Sequence, residues 1–170
     1  MKVVCATGHR LSGFSWYNKN GNTLYNENNP ECIKIKSLLM QELEKLILTG
    51  YDYFISGMAL GFDIWFAEAI LELKKKYPHI KLIGALPCRN QTERWTDQKQ
   101  IDRYNYLITQ LDDVRCIYDI YEDGCLLERN RFMINNSSLV IALFNGLSGG
   151  TKSTIDYAKK QGKEIIIIKP

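Results

Sequence analysis

The chain has 170 residues, 45% hydrophobic and 24% charged, with 22 basic against 19 acidic side chains for a net charge of +3. That length suits one domain, expected over residues 1–170, with a sizeable core. The charge balance disfavours nucleic-acid binding without a local basic cluster, and no apolar run approaches the ~20 residues of a membrane helix. The N-terminus lacks the shape of a signal peptide. Cys5, Cys32, Cys88, Cys116 and Cys125 are odd in number and show no paired spacing, so a reducing, cytoplasmic setting is expected. With His9 and His79 as the two histidines and no CxxC motif, neither a metal nor a cofactor is expected.

In chain order, Lys2 to Ala6 reads as a buried strand, followed by a polar, asparagine-rich insertion at about 11–30. An insertion this long points to a lid or a disordered segment, and Trp16 and Tyr17 within it favour a lid. Glu31 to Thr49 carries apolar residues at helical spacing and stops at Gly50. Tyr53 to Ile55 is a second strand, Phe62 to Tyr77 a helix, and Lys81 to Leu86 a third strand ended by Pro87. A helix over Glu93 to Leu111, a strand over Val114 to Tyr118 and a helix over Asp123 to Asn136 come next. Leu139 to Phe144 is a strongly apolar strand, Thr151 to Gln161 a helix, and Glu164 to Ile168 the last strand. The alternation predicts an α/β fold, a Rossmann-like three-layer sandwich around a mostly parallel sheet.

Three glycine-bearing turns follow strands in this reading. They are Thr7-Gly8-His9-Arg10, Ser56-Gly57-Met58-Ala59-Leu60-Gly61-Phe62-Asp63, and Asn145-Gly146-Leu147-Ser148-Gly149-Gly150-Thr151. Ligands of parallel α/β sheets bind outside the carboxyl ends of the strands, and helix N-termini present free N–H groups to phosphate. The three turns should therefore converge on one nucleotide-like ligand. In the last turn, Gly149, Gly150 and Thr151, with Ser148 and Thr154 beside them, suit a phosphate, although glycine could serve helix geometry alone. No lysine completes a Walker-type arrangement. Ser56, Gly57, Met58 and Gly61 suit an adjoining phosphate or ribose. Asp63 suits ribose hydroxyls, or simply the favourable end of a helix dipole. Arg10 suits phosphate oxygens, and His9 suits either the ligand or a structural role. Arg89, Trp95, Arg129 and Asn145 complete the candidate set; Arg129 and Arg131, two apart on a helix, should not both face one pocket.

At these residues the chain resembles the SLOG superfamily, and within it the YpsA-type proteins. The resemblance rests on Gly8-His9-Arg10, on the Ser56-to-Asp63 turn, on Glu128-Arg129-Asn130-Arg131-Phe132-Met133 and on Gly149-Gly150-Thr151, with Pro87, Gln91 and Trp95 also fitting. It implies a pocket for nucleotide derivatives of the ADP-ribose type, sensed or sequestered without rapid turnover, and a homodimer. LOG-type phosphoribohydrolases share the superfamily and carry a glutamate in their PGGxGTxxE motif where this chain has Thr154. A hydroxyl cannot do a carboxylate's work in cleaving a base–ribose bond. An N-glycosidase acting on nucleoside monophosphates would need Asp63, Glu68 or Asp156 instead. The DNA-processing protein A family has a similar Ser-Gly-x-Ala-x-Gly-x-Asp turn, which leaves single-stranded DNA binding as a third reading.

Overall fold

A computed structural model describes residues 1–10 and 27–170, so the expectations placed on Trp16 and Tyr17 fall outside the described residues. The elements alternate in the expected way: β1 (Val3–Gly8), α1 (Pro30–Leu48), β2 (Tyr53–Ser56), α2 (Phe62–Lys76), β3 (Lys81–Cys88), α3 (Gln98–Thr109), β4 (Asp113–Tyr118), α4 (Cys125–Asn135), β5 (Leu139–Leu143), α5 (Gly150–Lys160) and β6 (Glu164–Ile168). The six strands form one sheet in the order β4-β3-β2-β1-β5-β6, and every pairing is parallel.

Period-2 alternation on β1 builds both layers of core at once. Val4 and Ala6 pack on the side of α1, α2 and α3, among Leu39, Phe62, Phe66 and Leu107. Val3 and Cys5 pack on the other side with Met133 and Ile134 of α4 and Ala158 of α5. Burial pushes the Cys5 thiol up to about 12, so it acts as a small hydrophobe. No helix among the described residues is long and apolar enough to cross a membrane.

Among the boundaries that depart from the sequence expectation, three have a clear local reason. Helix α1 starts at Pro30, because Asn29 caps it by accepting from the Glu31 N–H at 2.9 Å and proline suits a first helical position. Strand β3 runs through Pro87 to Cys88. β2 has ended at Ser56, opposite Gly84, so no ladder bond to β2 is lost at the proline. Helix α3 begins five residues late, after Asp97, whose carboxylate accepts from the Lys99 N–H at 2.9 Å. The preceding residues turn instead, with Glu93 N–H bonded to Asn90 and Trp95 N–H to Thr92. Trp95 therefore sits on a loop rather than on a helix.

One ionic network ties α1, α2 and α3 together. Arg103 of α3 donates to both Glu68 oxygens of α2 at 2.6 Å and to both Glu27 oxygens at 2.6 and 3.1 Å. Glu27 also accepts from Trp65 Nε1 at 3.0 Å and from Lys36. Burial pushes the Glu27 carboxyl up, but the Arg103, Lys36 and Trp65 donors outweigh it and hold the group at about 2. Its contribution to stability is therefore complete above its ordinary value of 4.5 and is lost as pH falls towards 2. Glu27→Gln is expected to lower unfolding free energy by about 2 kcal/mol at pH 7 and to flatten the acid limb of stability below pH ~4.5, read by urea denaturation at pH 7 and pH 3.

Candidate functional site

The switch in strand order places a crevice beyond the ends of β1 and β5. β1 connects onward to β2 on one side, while β5, in register from Val4↔Leu139 to Gly8↔Leu143, lies on the other. Parallel sheets bind ligands at such a point, because the loops leaving the two strands diverge there. A cleft of about 290 Å³ occupies it, walled by Thr7 to Arg10, by Ala59, Leu60 and Asp63, by Leu126, Arg129 and Asn130, and by Gly150 and Thr151. Residues from all three glycine turns therefore meet at one cavity, with α4 as a fourth contributor. A second lobe of about 280 Å³ adjoins it, sharing Arg10, Ala59, Leu60 and Leu126.

The floor is organised by a buried guanidinium. Arg129 is 5% exposed; its Nη1 donates to the Gly57 carbonyl and lies 3.8 Å from Asp63 Oδ2, while its Nε donates to Asn130 Oδ1 at 2.8 Å. Asp63, 8% exposed, also accepts from the Ala59 N–H at 3.3 Å. Burial pushes the Asp63 carboxyl up, opposed by Arg129, the Ala59 N–H and Arg10. An arginine stays protonated in proteins. With Arg10 and Arg129 against Asp63, the first lobe carries an excess of positive charge. Arg10 is exposed at the junction of the two lobes and makes no ion pair or hydrogen bond among the described residues.

The glycines work differently from one another. A Cβ on Gly57 would stand 2.1 Å from Arg129 Nη1 and 2.6 Å from Asp63 Oδ2, and one on Gly8 would stand 2.5 Å from the Phe62 Cβ. Both glycines thus make room for protein atoms, and Gly8 also lines the cleft. Gly149 has φ +146° and ψ −171° and caps α5 without a side-chain bond, a conformation confined in practice to glycine. Gly150 and Thr151, in the first turn of α5 where main-chain amides have no helical acceptor, line the cleft.

Other sequence candidates are supports. Ser56 is fully buried; its hydroxyl donates to the Asp63 carbonyl at 2.8 Å and accepts from the Met58 N–H at 3.1 Å, so it knots the turn together. Met58 is a core residue, and Gly61 caps α2 beneath the wall. His9 lines the cleft, stacks on Phe144 with centroids 5.6 Å apart, and bonds to Asn145; burial lowers its pKa, against the pull of that bond. Asn145 also folds its own turn by accepting from the Leu147 N–H at 3.0 Å.

Thr154 donates to the Gly150 carbonyl at 2.9 Å and accepts from Asn130 at 3.0 Å, so its hydroxyl is engaged inside the protein. Ser148 is exposed outside the cleft lining, and Arg89 pairs with Asp119 on the rim at 3.0 Å. Trp95 lines the second lobe. Arg131 pairs with Glu128 at 2.7 Å. Of the three carboxylates weighed for hydrolysis, Asp156 pairs with Lys152 on the surface and Glu68 with Arg103, while Asp63 lines the cleft.

Sequence reasoning gave no site role to Ala59, Leu60, Asn130, Leu126, Asn90, Arg94 or Tyr121. Ala59 and Leu60 stand within a quoted turn and Asn130 beside Arg129 in a quoted motif, which is a usable signal. The others lie on irregular loops or on one face of α4, and no local pattern marks them. Gly57→Ala is expected to destabilise the protein by about 3 kcal/mol, because the added methyl unseats a buried charge, whereas Gly150→Ala, with open space around its Cβ position, should change stability by no more than about 1 kcal/mol. Thermal unfolding of the two variants reads the difference.

Comparisons with known proteins bear on the family and the fold. A UPF0398 protein of Brevibacillus brevis is 34% identical over 130 residues, covering 75% of this chain and 69% of that protein. The SPbeta prophage-derived protein YoqJ of Bacillus subtilis is 32% identical over 146 residues, covering 78% and 84%. Among solved structures, DNA processing protein A from Helicobacter pylori, described by its single-stranded DNA binding mode, superposes with a TM-score of 0.64 at 21% identity. The Streptococcus pneumoniae protein of that name gives 0.62 at 16%. Each superposition covers 98% of this chain but 64% and 50% of the respective structures, and at such identities the likeness is one of fold. The YpsA model, described as the YspA SLOG family, matches residues 8–169, and the chain belongs to that family.

Proposed function

We propose that this protein binds a phosphate-bearing nucleotide derivative of the ADP-ribose class and senses or sequesters it without rapid turnover. The observation that carries the reading is the convergence of three strand-end turns on one cleft lined by the first residues of α5 and by Arg10, which makes no ion pair among the described residues. In this reading the Gly150 and Thr151 amides receive a phosphate, Arg10 adds a charge-assisted contact, and Asp63 accepts from ribose hydroxyls. Neutral His9 can donate or accept, but it is already held by Asn145.

Slow turnover follows from what faces the cleft. Thr154, standing where LOG-type enzymes carry glutamate, is tied to Gly150 and Asn130. Among the described residues Asp63 is the carboxylate that lines the first lobe, and its pairing with Arg129 and the Ala59 N–H suits holding a ligand better than relaying protons. The proposal includes a cytoplasmic setting, in keeping with five free thiols, and a homodimer by family resemblance, which light scattering after gel filtration would measure.

Arg10→Ala and Gly150→Asp are each expected to weaken ADP-ribose binding by about tenfold or more in calorimetric titration. Thermal unfolding of the ligand-free protein should stay nearly unchanged in both. Incubation with nucleoside monophosphates should release no free base at an enzymatic rate. Rapid base release would replace this reading with the N-glycosidase one.

A further inference from the structure

The second lobe differs in chemistry from the first. Trp95, Tyr121, Pro87 and Leu126 give it aromatic and apolar surface, and Arg94, Glu93 and Gln91 give it polar edges. The Arg94 guanidinium lies over the Tyr121 ring, 4.4 Å from its centroid, and makes no ion pair among the described residues. Trp95 is braced edge-on against buried Tyr104, with centroids 5.3 Å apart. The lobe thus pairs a braced indole with an exposed cation–aromatic platform, surfaces on which planar rings stack.

The charged groups at its edges are engaged. The Glu93 carboxylate is held by Asn90 Nδ2 at 2.5 Å and the Arg94 guanidinium lies on the Tyr121 ring, which leaves the indole and the platform as the surface for a planar ring. Gln91 then sets the edge of that ring. Its Nε2 donates to the Met58 carbonyl at 2.9 Å and towards the Gly57 carbonyl at 3.4 Å. Reversing the amide would set oxygen against oxygen, so the orientation is fixed. Its Oε1 is a buried acceptor with no hydrogen-bond partner among the described residues, a state that costs free energy until a donor arrives.

We infer that the second lobe is the base subsite of the nucleotide, taking a planar ring that carries an exocyclic amino group, stacked at Trp95 and the Arg94–Tyr121 platform with its amino edge towards Gln91. The inference rests on the nucleotide reading above, and it adds a direction: phosphate in the lobe at α5, base in the lobe between the β3 and β4 loops, with Arg10 where the two lobes meet. Adenine satisfies the amino requirement and hypoxanthine, with a carbonyl at the same position, does not.

Calorimetric titration of the full chain with ADP-ribose, its hypoxanthine analogue and ribose 5-phosphate tests it. The wild-type protein should bind ADP-ribose about fivefold or more tightly than the hypoxanthine analogue. Tyr121→Ala and Arg94→Ala should each weaken ADP-ribose by about fivefold while changing ribose 5-phosphate by less than about twofold, and Tyr121→Phe should keep the wild-type affinity. Both alanine changes are at exposed positions, so folding is not at stake. If the amino and carbonyl bases bind equally, or the two alanine variants bind ADP-ribose like the wild type, the base subsite is refuted while the phosphate reading stands. If neither ADP-ribose nor ribose 5-phosphate binds the wild-type protein, the nucleotide reading itself falls and takes the subsite with it.

Discussion

A guanidinium buried beneath a cleft must be seated by oxygen atoms, and in this chain separate segments supply them. Arg129 comes from α4, the Gly57 carbonyl from the turn after β2, Asp63 from the first turn of α2, and Asn130 from the next position on α4. The cost of desolvating such a charge is offset only when its donors are used. The turn after β2, the start of α2 and helix α4 are therefore held in one relative position. Gly57 is the keystone of that arrangement, since any side chain there would occupy the space of the guanidinium.

The cleft inherits its shape from this seat. The parallel register of β1 and β5 fixes where the chain leaves the sheet, and the end of β1 and the first residues of α2 and α5 line the gap. The buried pair sets the floor between them. Ser56 contributes by tying its turn to the Asp63 backbone, and His9 by stacking against Phe144. Arg10, Gly150 and Thr151 line the cavity, and Asp63 both seats Arg129 and lines it.

Much of the fold was legible because its cues are local. Alternating apolar strands and helical stripes gave eleven elements in the right order, and the all-parallel sheet follows from their βα alternation. The meeting of the three turns was legible for the same reason, since strand ends of a parallel sheet share one rim. What each side chain does there was not. The neighbour that forbids a Cβ at Gly57 lies 72 residues further along the chain, and no pattern around Gly57 encodes it. Ser56 reads as an available hydroxyl until the turn closes over it. Trp95 looks helical by spacing, but the Asp97 cap starts α3 beyond it. Of the second lobe, Arg10 and Trp95 stood among the candidates, while Asn90, Arg94 and Tyr121 did not, because they lie on loops after β3 and β4 whose paths depend on tertiary packing.

The central claim, that a phosphate-bearing nucleotide occupies the cleft above Arg129, is tested most directly by amide chemical-shift mapping of the isotopically labelled protein during titration with ADP-ribose. Saturable shifts concentrated at His9, Arg10, Ala59, Leu60, Gly150 and Thr151 are expected. Shifts confined to the outer edges of β4 and β6, or no saturable shift at all, would contradict it.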